Sequence, residues 1–403
     1  MMNSRLLYTI SSFIFLTSVS AESYVNGIDV FFNSDLSKYE TLQVGVVANH
    51  TSLDKNGNSL VDLANEHLNL QAIFAPEHGL FGKDEAGKKI NDNAFNGIPV
   101  YSLYGKNKKP TSDQLKNIDL ILFDMQDIGS RYYTYISTMT YVMQAALENE
   151  VKIIILDRPN PIGRAIEGPI LRNGFQSFVG MHPIPIRHGL TIGELALMIE
   201  GMNWISGDGD LDLKIIKVLG WDGKPVSIDI PPSPNIPDLE TAVIYSGLCL
   251  LEGTNISEGR GTDSPFKIIG APWINSEDVL DKIKSSGVRG ADVSEITFTP
   301  KSIPGKAAYP KYKSQECKGL KIDITDFDSF YPLKLGVLIL KSIHDSDPEN
   351  FKILETNFID KLYGSDKLKE NIINGLSINE LVLTWKDESD QFREVSQPYR
   401  IYK

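Results

Sequence analysis

Cysteine is almost absent: Cys249 and Cys317 are the only two in 403 residues, and nothing in their spacing marks them as a pair. No Cys-x-x-Cys and no His-Glu-x-x-His occurs, which removes a structural zinc site or a zincin-type metal centre from consideration. Long apolar runs are missing after the first 21 residues, so no segment of the remaining chain reaches the roughly 20 residues a membrane-spanning helix needs. Positive charge is scarce as well: 40 Lys and Arg stand against 52 Asp and Glu, a formal net charge of −12 that argues against nucleic acid as a partner. Nucleotide signatures are lacking too. Gly82 to Lys89 fits Gly-x-x-x-x-Gly-Lys but ends in Lys89 where a metal-binding Ser or Thr is needed, and no Gly-x-Gly-x-x-Gly follows the first strand pattern.

The first 21 residues pair Arg5 with an apolar core around Phe13 to Leu16 and end in Val19-Ser20-Ala21. This reads as a secretory signal peptide, giving a soluble exported chain starting at Glu22, periplasmic or secreted. From residue 44 to about 218, short Val, Ile and Leu runs alternate with helical patterns. Strands are expected at Val44–Ala48, Leu70–Ala75, Pro99–Ser102, Ile118–Phe123, Lys152–Leu156, Ile184–Ile186 and Leu213–Val218, with helices at 59–67, 111–117, 131–148 and 191–202. Such alternation predicts an α/β fold, a Rossmann-like, doubly wound and mostly parallel sheet. Four prolines within "DIPPSPNIPD", residues 229–238, interrupt it. Residues 22–232 are therefore read as one domain, and 233–403 as a smaller α/β or α+β domain that closes over it. That second domain is expected to hold helices near 239–250 and 334–344, strands near 293–298 and 319–324, and a last helix opened by Ser377 and Glu380.

Open parallel sheets bind ligands outside the carboxyl ends of their strands. The expected strands end in Asn49-His50, Glu77-His78, Asp124 and Asp127, Arg158 and Asn160, and Arg187-His188. Polar and ionisable groups thus converge on one edge, although Asp127 or Ser130 equally suits a cap for the helix expected from Arg131. Arg131 and Tyr132 or Tyr133 stand at the first turn of that helix, within reach of the same crevice. A glycine-rich stretch, "EGTNISEGRG", adds Glu252, Asn255, Glu258 and Arg260 from the second domain.

These stretches resemble a bacterial family of exo-β-N-acetylmuramidases of cell-wall recycling, long known only as a domain of unknown function. The matching segments are "GVVANHTS", "FAPEHGLFG", "GIPVYSLYG", "FDMQDIGSRYYTYISTM", "LDRPNPIG", "PIPIRHGLTIGELA", "PPSPNIPDLETA", "LEGTNISEGRGT" and "IGAPW", in family order from about residue 44 to 273. The resemblance implies removal of terminal N-acetylmuramic acid from the non-reducing end of peptidoglycan fragments, without a cofactor. Glycoside hydrolysis needs a proton donor and a second carboxyl group. Glu77 fits the donor; Glu258, Asp124 and Asp127 are open alternatives for the second. The sugar's lactyl carboxylate calls for a cation, for which Arg131, Arg158, Arg187 and Arg260 are available. Asn49, Asn160, His188 and Asn255 would read hydroxyls and the acetamido group, with His78 and Tyr132 lining the sugar. Relatives commonly carry Ala-Gly-Glu where this chain has Ala86-Gly87-Lys88; Asp263, Ser264 and Lys267 also depart from the common loop, and Glu85 is offset as a replacement. Two competing readings follow: a non-catalytic periplasmic muropeptide- or sugar-binding protein, favoured by Lys88, and a metallohydrolase using Glu77, His78 and Asp124.

Overall fold

The computed structural model describes residues 24–82, 93–375 and 378–402. The expected signal peptide, the Gly82–Lys89 motif beyond Gly82, Glu85, the Ala86-Gly87-Lys88 departure and the Ser377 cap all lie outside these residues. Among the described residues no helix is long and apolar enough to cross a membrane.

Among the described residues ten strands form two sheets: β1 (Gln43–Ala48), β2 (Asn69–Ala75), β3 (Asn93–Phe95), β4 (Ile98–Ser102), β5 (Leu120–Asp124), β6 (Lys152–Leu156), β7 (Leu213–Ile216), β8 (Ile268–Ala271), β9 (Ala291–Phe298) and β10 (Cys317–Ile324). The helices are α1 (Gly27–Phe32), α2 (Leu60–His67), α3 (Ser112–Leu115), α4 (Tyr135–Glu148), α5 (Ile192–Gly201), α6 (Leu239–Leu248), α7 (Ser276–Ser285), α8 (Pro332–Ser346), α9 (Phe358–Tyr363), α10 (Lys367–Asn374) and α11 (Ile378–Ser396). The larger sheet runs β3-β4-β2-β1-β5-β6-β7, parallel throughout except for β3, which pairs antiparallel on the edge. This is the expected α/β sheet. Its strands are apolar on both faces because helices cover both: α4 and α5 pack with the core that includes Phe123 and Ile153, while α2 closes the opposite face over Val46 and Leu122. The smaller sheet, β8-β10-β9, is wholly antiparallel, and α6, α7 and α8 pack beside it. One continuous apolar core joins both sheets, from Val47 and Phe123 to Leu320 and Ile339.

Local sequence explains most element boundaries. Ser59 caps α2 by accepting from the Asp62 amide at 3.0 Å, and Thr191 with Glu194 forms a reciprocal capping box on α5. Two expectations fail. Ile184–Ile186 forms no strand, because Pro183 and Pro185 remove the amide donors a ladder needs; only single bridges flank it, Arg187 pairing with Ser130 and Glu167. That bridge also delays the next helix. The Arg131 amide donates to Ile186 O at 2.8 Å, so α4 begins at Tyr135 and not at residue 131. Neither Asp127 nor Ser130 caps it: Asp127 accepts from the Gly129 amide at 2.7 Å, and the N-cap residue is Thr134. Tyr132, Ile136, Met139 and Met143, which helical spacing from residue 131 would put on one stripe, are all buried. Both cysteines are free and buried, and burial pushes their thiols well up from their ordinary range, Cys317 to about 11.

Arg131 makes the tie that spans the molecule. Its guanidinium, 1% exposed, donates to four carbonyls: Pro169 (2.8 Å) and Ile184 (2.7 Å) from the first sheet's loops, and Leu362 (2.9 Å) and Tyr363 (2.8 Å) at the C-terminus of α9. The last two are carbonyls a helix end leaves without internal donors, at its negative pole. Gly364 follows with φ of 91°, and a Cβ there would stand 2.8 Å from Arg131 Nη2. Burial draws this guanidinium down to about 10, still cationic at neutral pH.

Arg131→Met leaves buried carbonyls without donors and lowers unfolding stability by about 3–5 kcal/mol, read from urea midpoints. A second prediction concerns acid. His182 stacks on Trp204 with ring centroids 4.8 Å apart and meets Thr140 Oγ1 at 2.8 Å; burial pushes it from 6.5 down to about 4. The folded state therefore binds fewer protons there than the unfolded state between those values. The stability that neutral His182 confers is present above about 6.5 and lost as pH falls toward 4. Asp157, pushed up to about 6 by burial, slopes oppositely over part of this window. Comparing the wild type with His182→Gln isolates the histidine: the difference in unfolding free energy shrinks by about 2–3 kcal/mol between pH 7 and pH 4.5.

Candidate active site

A cavity of about 750 Å³ lies between the carboxyl end of β2, the approach to α4, and loops of the second sheet. That volume falls within the usual range for small-ligand sites. Strand β2 delivers Glu77 and His78, each under a tenth exposed, through a turn closed by the Gly79 amide donating to Pro76 O at 3.0 Å. His78 adopts φ of 70°, the left-handed region that costs a residue with a side chain energy and concentrates at functional sites. Thr134 donates its hydroxyl to Glu77 Oε2 at 2.7 Å. The N-cap threonine of α4 thus makes no cap hydrogen bond and holds the acid instead.

The opposite wall comes from 252–260 and from 306–311. Arg260 sits between Gly259 (φ 76°) and Gly261 (φ 82°); a Cβ at Gly259 would lie 2.4 Å from Ile268 O, so only glycine lets the loop press against β8. The loop carries a chain of charge. Arg260 contacts Glu252 at 2.7 Å and Glu258 at 3.5 Å, and Lys311 donates to Glu258 Oε2 at 2.9 Å. Burial opposes the Arg260 charge, but Glu252 and Glu258 outweigh it and hold the guanidinium above its ordinary range. Aromatic rings complete the enclosure: Tyr132, Tyr133, Tyr135, Tyr245, Phe266 and Phe178 line it. Desolvation raises the phenols of the first four, so each remains protonated. The proline-rich crossover itself contributes Ser233, Asn235 and Ile236 to the wall.

Of the residues the sequence pointed to, Glu77, His78, Tyr132, Tyr133, Glu252, Glu258 and Arg260 line this cavity. The others lie outside its lining, held by partners of their own. Asp124 is fully buried and bound by Arg158 through two nitrogens, one of them Nη2 to Oδ2 at 2.8 Å, while Arg158 also donates to Leu53 O; neither reaches the cavity. Burial pushes Asp124 up from the usual carboxylate range, against the pull of Arg158. Asn49 spends its amide on Tyr135 Oη (2.8 Å) and its carbonyl on the Thr51 amide (2.8 Å). Asn160 spans the Ile162 amide and Leu190 O, both at 3.1 Å. Asn255 fastens the loop at Asn350 O and the Lys352 amide, both at 2.8 Å. Asp127 and His188 face each other in the interior at 3.7 Å, with His188 Nδ1 accepting from the Leu190 amide. Arg131 is the tie described above, and Arg187 is buried 3.5 Å from Glu167. Lys267 pairs with Asp238 and Glu240.

Thr134, Lys311 and the 303–311 segment were not foreseen. For Lys311 and its segment the signal was length: residues 299–316 join two adjacent antiparallel strands that a few residues could connect, and so long a hairpin loop tends to carry function. Among the described residues no group of acidic, histidine or cysteine side chains is arranged to hold a metal ion.

The sequence profile for the N-terminal part of the exo-β-N-acetylmuramidase NamZ matches residues 44–240, and the profile for its C-terminal part matches residues 243–402. The peptidoglycan β-N-acetylmuramidase NamZ of Bacillus subtilis (strain 168) is 40% identical over 386 residues, covering 93% of this chain and 91% of that protein. Two crystal structures of DUF1343 family proteins from Bacteroides fragilis NCTC 9343 superpose with TM-scores of 0.85 and 0.79, each at 31% identity; they cover 95% and 94% of this chain, and 100% and 99% of their own. A fold shared along nearly its whole length, with both sequence profiles in order, places this chain in the NamZ exo-β-N-acetylmuramidase family.

Proposed function

We propose that the chain is an exo-acting glycoside hydrolase that releases terminal N-acetylmuramic acid from the non-reducing end of peptidoglycan fragments, and that it works outside the cytoplasm after removal of residues 1–21. The observation that supports this most is a pair of buried carboxyl groups, Glu77 on one wall and Glu258 on the other, opening onto one aromatic-lined cavity. Aromatic faces pack against the apolar faces of pyranose rings, and carboxyl groups on opposite walls can act on the two sides of a glycosidic bond. Glu77, positioned by the Thr134 hydroxyl, is the proton donor to the leaving oxygen. Glu258, beside Lys311 and Arg260, is the second carboxylate, acting as nucleophile or as base. Both oxygens of Asp124 are held by Arg158, which favours Glu258 over Asp124 for that role.

Turnover of para-nitrophenyl β-N-acetylmuramide tests the reading. Glu77→Gln lowers kcat by about 10²–10⁴ with little change in unfolding midpoint. Asp124→Asn gives the opposite pattern: loss of a buried ion pair costs about 3–5 kcal/mol of stability, while kcat of the folded fraction stays within a few-fold of wild type. Saccharide binding without release of nitrophenol by the wild type would establish the non-catalytic binding protein in its place.

A further inference from the structure

N-Acetylmuramic acid differs from N-acetylglucosamine by a lactyl ether that ends in a carboxylate, and an enzyme that prefers it needs a positive charge not already neutralised by the protein. Among the described residues four cations line the cavity: Lys108, Arg260, Lys306 and Lys311. Arg260 is held between Glu252 and Glu258. Lys311 is bound to Glu258 and to the carbonyls of Leu251 and Ile256, each at 2.9 Å. Lys306 is exposed, on the rim.

Lys108 is placed differently. It lies on the loop after β4, whose strand neighbours β2 and so runs beside Glu77 at the same edge of the sheet. The adjacent Lys109 turns outward to Glu148, with Nζ 2.6 Å from Oε2. Lys108 instead stands half-buried with Nζ 4.4 Å from the centroid of Phe178. That ring stacks on Tyr141 at 6.3 Å and 16°, and lies 5.9 Å from Tyr104. An aromatic face attracts an ammonium and orients it, yet supplies no full negative charge. Among the described residues Lys108 has no carboxylate partner, so its charge is directed, partly desolvated and uncompensated.

We propose that Lys108, held over Phe178, binds the lactyl carboxylate and sets the preference for muramyl over glucosaminyl substrates. The assignment rests on the muramidase reading and specifies the contact that selects its substrate. The test compares para-nitrophenyl β-N-acetylmuramide with its lactyl methyl ester, in the full chain. In the wild type the acid is preferred in kcat/KM, and added salt weakens that preference. Lys108→Met lowers the acid-to-ester ratio about tenfold, mainly through KM for the acid, and Lys108→Arg restores most of it. Lys106→Met, which removes the same charge from an exposed lysine outside the cavity, keeps the wild-type ratio. A wild-type ratio in Lys108→Met, or a ratio that collapses in Lys306→Met instead, overturns the assignment and leaves the muramidase reading standing. A wild type that turns over neither substrate overturns the muramidase reading, and the Lys108 assignment falls with it.

Discussion

The arrangement depends on one guanidinium. Arg131 gathers carbonyls from Pro169, Ile184 and the last turn of α9, elements far apart in sequence that have no other reason to share a donor. A planar fork with five N–H groups can satisfy several carbonyls at fixed angles, which a lysine cannot. The residues that follow it, Tyr132 to Tyr135, form the cavity wall and carry the threonine that grips Glu77. Position of the acid and attachment of the second unit are therefore set by the same short stretch of backbone. The apolar core that runs unbroken between the sheets holds the two walls at a constant separation.

The general rule for open parallel sheets directs attention to the crevice where strand order reverses, here between β1 and β5. That crevice is filled from within. Asp124 and Arg158 neutralise each other there, Ser52 donates to the Asp124 carbonyl, and Asn49 joins Thr51 to Tyr135. With the switch point occupied by the chain's own polar groups, the open site is displaced one strand outward, to the end of β2, and completed by loops of the antiparallel sheet. The sheet thereby floors the aromatic-lined cavity beside β2 instead of a cleft at the switch point.

Much of this was legible in the sequence. Apolar runs such as "VKIIIL" mark strands buried on both faces, and the alternation with capped helices gives the α/β class. The sheet edge onto which the cavity opens was legible too, from polar groups at several strand ends. What the one-dimensional pattern conceals is which of those groups turn toward solvent and which turn back to satisfy buried backbone. Asp124, Arg158, Asn160 and Asn255 look no different in sequence from Glu77 and Glu258; only the packing keeps the first four out of the cavity that the last two line. The apparent strand at 184–186 shows the same limit, since its apolar alternation is genuine and its prolines exclude it from the sheet. Lys311 and Thr134 escaped notice because each belongs to a segment whose shape is set by distant neighbours.

Both thiols are free and buried, Cys249 at the C-terminal end of α6 and Cys317 at the start of β10, and no disulfide holds the two units together. Such a chain needs no disulfide oxidase or disulfide isomerase to mature, and its fold is the same in an anoxic surrounding as in air.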